Sequence, residues 1–80
     1  MDIDIHGLEL EEAIDEISYI LRGCDMRGIQ EVSIIHGYHH GQVLKNYIRS
    51  EGFLKEMERE GFILSRERQN NLGITVFRLG

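Results

Sequence analysis

The sequence contains no proline and no tryptophan, a single cysteine, no long apolar run and few cations. Without a stretch of about 18 apolar residues there is no transmembrane helix. The opening Met1-Asp2-Ile3-Asp4 lacks the basic region that begins a secretory signal, so the expected location is cytoplasmic, with no membrane partner. Cys24 by itself forms no internal disulfide and no cysteine-based zinc finger. Nine Lys or Arg against fourteen Asp or Glu leave a formal charge of −5. That balance argues against a general nucleic-acid coat protein, because non-specific phosphate binding is driven by clustered cations. What is present is a chain of 80 residues, 41% hydrophobic, enough for one small core and so for a single domain over residues 1–80.

The charge is unevenly spread. Nine of the fourteen acids lie in residues 1–40 with only Arg22 and Arg27, whereas seven of the nine bases lie in residues 41–80. Ile3 and Ile5 alternate with Asp2, Asp4 and His6, the period of a half-buried strand over residues 2–6. From Leu10 the apolar positions Ala13, Ile14, Ile17, Ile20, Leu21 and Cys24 follow helical spacing, with Glu9, Glu11 and Glu12 opposing the positive end of the dipole and Gly28 as the stop. Most of the acidic excess is therefore the solvent face of the first helix. Residues 31–36 are short, β-branched and closed by Gly37, a second strand. Helical spacing returns over residues 41–51, is interrupted at Gly52, resumes over 53–60 and stops at Gly61. Phe62-Ile63-Leu64 begins a third strand, residues 69–73 have turn composition, and residues 74–79 form a fourth strand. The order is βαβαββ: a two-layer α/β sandwich of helices packed on a mixed four-stranded sheet, with the first two strands parallel and a terminal hairpin.

Parallel strands joined by a helix end on one edge of the sheet, where ligands of open α/β sheets bind. His6 ends the first strand and His36 the second, so both imidazoles are expected at that edge, and Asp4 stands on the same side of its strand as His6. The loop His36-Gly37-Tyr38-His39-His40-Gly41 leads into a helix, and such a glycine-bracketed turn lets backbone N–H groups approach an anion. Lys45 and Arg49, one helical turn apart, add positive charge beside it. Phosphate is the natural ligand for this edge. Tyr19, Tyr47, Phe53 and Met57 fit helical stripes and read as core, Cys24 as a buried helix residue, and Arg66 and Arg68 as a solvated sheet edge that discourages sheet-to-sheet pairing.

The segment Ile3-Asp4-Ile5-His6-Gly7-Leu8, followed by a Leu-Glu-Glu-Ala helix, and Ile34-Ile35-His36-Gly37 leading to Gly41 resemble the small MutS-related (Smr) domain. That family pairs an L-D-x-H-G segment with a later H-G-x-G-x-G segment, and Gly73-Ile74-Thr75-Val76 looks like its closing strand. The resemblance implies a fold similar to the carboxy-terminal domain of bacterial translation initiation factor three. It also implies nicking or endonuclease activity on DNA or on mRNA, in some settings at stalled ribosomes. Asp4 and His6 match the D-x-H pair implicated in cleavage; His36, Gly37 and Gly41 match the second motif, and Lys45 the basic position after it. The sequence departs from the pattern at His39, which replaces the middle glycine, and at Tyr38.

Three functional readings follow. The first is a phosphodiester endonuclease, on RNA rather than DNA, with Asp4, His6 and His36 catalytic and Gly37, Tyr38, His39, His40, Gly41, Lys45 and Arg49 binding nucleic acid. With RNA the 2′-hydroxyl is the nucleophile and imidazoles serve as base and acid without a metal. With DNA water attacks, and a divalent cation (magnesium or manganese) held by Asp4 is expected. The second is a non-catalytic RNA-, DNA- or ribosome-binding module. The third is a transition-metal site built from His6, His36, His39 and His40. A homodimer or a ribosomal partner would supply the surface for site selection that so small a unit lacks.

Overall fold

The structure, a computed structural model, describes residues 1–37, 42–67 and 71–80, and only the backbone of residues 24–27. Its elements are β1 (Asp2–Asp4), α1 (Leu10–Arg27), β2 (Glu31–Ile35), α2 (Gln42–Ile48), α3 (Glu51–Arg59), β3 (Leu64–Arg66) and β4 (Ile74–Leu79). The sheet order is β1-β2-β4-β3. β1 and β2 are parallel, with Ile3 opposite Ile34 and Asp4 opposite Ile35, while β4 runs antiparallel to both β2 and β3. The expected mixed sheet is present.

Burial alternates along β1, β2 and β4, so one face carries the core. Ile3 of β1 and Ile5 just after it, Val32 and Ile34 of β2, and Phe77 of β4 are buried together with Ala13, Ile17 and Leu21 of α1 and Phe53 and Met57 of α3. Phe53 is the hinge of this packing, its ring 5.5 Å from that of Phe77 and 6.1 Å from that of Tyr47. Tyr19 departs from expectation: it lies off the phase of Ile14, Ile17 and Leu21 and is 72% exposed. Cys24 and Arg68 lie, as side chains, outside the described residues.

The helix ends have local causes. Glu9 opens α1, its carbonyl accepting the first helical bond from Ala13 and its N–H donating to Glu12 Oε1 at 3.1 Å, half of a capping box. The break expected at Gly52 falls instead at Ser50. Its hydroxyl accepts from Phe53 N–H and donates to the carbonyl of Tyr47, closing α2 and opening α3 with one side chain. At the far end Phe62 N–H donates to the carbonyl of Met57 across Gly61, at φ 97, a Schellman-type stop. That use of the Phe62 amide delays β3 to Leu64, two residues later than its sequence composition suggests.

Candidate active site

The first strand hands over to α1 through a tight turn. Leu8 N–H donates to the carbonyl of Ile5 at 3.1 Å, and Gly7, third in the turn, has φ 82. A positive φ at that position is what makes glycine the residue of choice there. His6 thus occupies a turn corner directly after a strand whose odd-numbered side chains are buried. It stands outside the core at 69% side-chain exposure, with Asp4 beside it at 52%.

Asp4 grips His6 twice through one oxygen. Oδ1 accepts from His6 Nδ1 at 2.5 Å and from the His6 backbone N–H at 3.1 Å. A carboxylate only accepts, so Nδ1 carries the proton and Nε2 is the nitrogen left to meet a substrate. The imidazole hydrogen bond, followed by the backbone one, holds the Asp4 carboxyl below its ordinary value of 3.8, which keeps this acceptor charged.

His36 is at the same edge of the sheet but on its other face. It continues the buried phase of Val32 and Ile34 and is 1% exposed. Nδ1 lies 3.0 Å from the carbonyl oxygen of Gly37, and Nε2 lies 2.8 Å from Thr75 Oγ1. Burial lowers its pKa from 6.5, the charges of Arg49 and Lys45 push the same way, and the Gly37 carbonyl opposes them. Both imidazoles thus stand at one edge, but in different surroundings: His6 is exposed and His36 is enclosed. Arg49 is likewise turned inward. Its Nε donates to Thr75 Oγ1 at 2.7 Å, and its Nη2 donates to the carbonyls of Asn71 and Ile74 at 2.6 and 3.0 Å.

Gly37 has φ 74, and a side chain there would begin 3.5 Å from His6 Cβ, so the loop after β2 starts against the Asp4–His6 pair. Lys45 is half-buried on α2. Tyr38, His39, His40 and Gly41, expected to bind nucleic acid, lie outside the described residues, and with them two of the four histidines of the proposed metal site. Among the described residues no group of three His, Cys, Asp or Glu side chains converges, and no helix is long and apolar enough to cross a membrane. Thr75, the residue that links His36 to Arg49, was missed in the sequence. Its signal was a hydroxyl in the same strand phase as Phe77.

The fold and this site define a two-layer α/β domain with an exposed carboxylate–imidazole pair on an edge strand and a glycine-led loop beside it. Residues 3–79 match the Smr domain, and the chain belongs to that family. It is 32% identical over 81 residues to the endonuclease MutS2 of Finegoldia magna and 38% identical over 79 residues to that of Acetivibrio thermocellus. Each match takes in 98% of this chain but only 10% of the relative's length. The crystal structure of the Smr domain of Thermus thermophilus MutS2 superposes with a TM-score of 0.72 at 28% identity, over 99% of this chain and 96% of that one.

Proposed function

We propose that this domain is a nucleic-acid endonuclease that cleaves RNA in preference to DNA, with His6 as the general base and Asp4 as its partner. The observation that carries this reading is the Asp4–His6 pair, held in one tautomer at an exposed strand end. The endonuclease relatives support the reaction class. Such a pair on open surface suits a polymer lying across it better than a small molecule enclosed in a pocket.

His6 Nε2 takes the proton of a ribose 2′-hydroxyl as that oxygen attacks the adjacent phosphorus. The bond to the 5′-oxygen breaks, that oxygen takes a proton from solvent, and a 2′,3′-cyclic phosphate remains. Asp4 stabilises the imidazolium that forms, through the bond it already makes to Nδ1. Lys45 contributes charge for the phosphate. A metal-assisted cut of DNA would draw Asp4 away from His6, and among the described residues no group of three His, Cys, Asp or Glu side chains converges to hold the ion.

The test is cleavage of end-labelled single-stranded RNA and duplex DNA with and without EDTA. Cyclic-phosphate ends that persist in EDTA are expected. His6→Ala should lower the rate by about 10²–10⁴-fold, the usual worth of a positioned general base, and Asp4→Asn by less. A 5′-phosphate product lost in EDTA would transfer the proposal to the metal route. RNA binding without cleavage, weakened by Lys45→Glu, would make the domain a binding module.

A further inference from the structure

We infer that Arg49 and Thr75 are positioning residues that act through His36, as a one-way chain of hydrogen bonds fixing the Gly37 peptide beside His6. The consequence for catalysis rests on the endonuclease reading; the chain itself does not.

Its direction follows from what each atom can do. Arg49 Nε only donates, so Thr75 Oγ1 accepts at 2.7 Å and turns its own proton to His36 Nε2 at 2.8 Å. Nε2 is then bare. The Gly37 carbonyl only accepts, so Nδ1 carries the proton across 3.0 Å. A proton added to Nε2 would require the Thr75 hydroxyl to turn its own proton away, and would put a charge on the enclosed ring beside Arg49. The arrangement therefore holds His36 neutral, as the Nδ1–H tautomer.

The same arginine closes the chain from the other side. Its Nη2 holds the carbonyl of Asn71, Asn71 Oδ1 accepts from Gly73 N–H at 2.7 Å, and the Gly73 carbonyl accepts from both His36 and Gly37 N–H at 3.0 Å each. Gly37 is thereby fixed at its N–H and at its carbonyl. A guanidinium with Nε and Nη2 bound to three protein acceptors is an anchor for the loop. A phosphate ligand in its place would keep its function on replacement by lysine, whereas a relay needs the planar fork.

Two measurements test this. In a long-range ¹⁵N–¹H spectrum at pH 7.5, His36 should show the neutral Nδ1–H pattern, with Nε2 shifted by Thr75→Val and kept in place by Thr75→Ser. In cleavage of a short RNA, Arg49→Lys and Thr75→Val should lower kcat about tenfold or more while KM stays within about twofold, since small misplacements of a reacting pair cost up to about 10²-fold. Thr75→Ser should restore most of kcat. If Thr75→Val does not fold, Thr75→Ser and Arg49→Lys carry both arms. A protonated or Nε2–H His36, or Arg49→Lys raising KM at unchanged kcat, overturns the relay. A protein that cleaves nothing refutes the endonuclease reading and leaves the ring-nitrogen spectrum to decide the relay.

Discussion

His6 and His36 show how much depends on a single step along a strand. Along β1 and its continuation the odd positions Ile3 and Ile5 are buried, so His6 falls outside; in β2 the even positions Val32 and Ile34 are buried, so His36 falls inside. The enclosed position gives His36 a part in stability at acid pH. His36 has its folded pKa below the ordinary 6.5, so its neutral form favours the fold. That contribution is complete above 6.5 and is lost as pH falls through the lower folded value. Asp4 contributes in a separate window, complete above 3.8 and lost only further into acid. Thermal melts from pH 7.5 to 5 should therefore show a fall in Tm that is absent in His36→Asn. The sequence carried the parity that separates the histidines, because Ser33 marks the open face of β2. Ile35 concealed it, since an apolar residue on each side of Ile34's phase leaves the strand readable either way.

At the level of elements, strand four and the body of helix one were legible because nothing competes with their period. The α2–α3 junction was not. Glycine inside a helix costs about 1 kcal/mol relative to alanine, a penalty of the same size as the gain from one good N-cap, so composition alone does not place the break. Ser50 decides it by serving both helices at once. Ser50→Ala should destabilise the domain by about 1–2 kcal/mol, the upper part of the usual range for a lost cap, measured by urea unfolding. Arg66 was read as a solvated edge residue, and it does lie on edge strand β3, but it also donates to the backbone carbonyl of Arg49 and to Glu51 at 3.2 Å. Bonds that span distant segments, like those of Arg49 and Thr75, leave no periodic trace in a sequence.

For the molecule as a whole, the net charge of −5 is misleading until it is mapped. Glu11, Glu12, Asp15 and Glu16 are exposed on α1, an element packed on the sheet, while Lys45 and Arg49 flank the strand ends. The domain measures 33 × 25 × 21 Å, about the length of ten base pairs, so few phosphates are within its reach. The proposed endonuclease should therefore bind nucleic acid weakly and in a salt-sensitive way. The chain spans 10% of the relatives it matches.

The single carbonyl of Gly73 that receives both His36 and Gly37 N–H has a consequence in time as well as in space. Any fluctuation that lifts the Asn71–Gly73 turn releases both amides at once. In native-state hydrogen exchange the two should report the same opening free energy and the same response to denaturant, as one small cooperative unit. If the two amides exchange with different opening energies, the turn is not what holds them. If they move together, the frequency of that one opening sets how often Gly37 is released from its place beside His6.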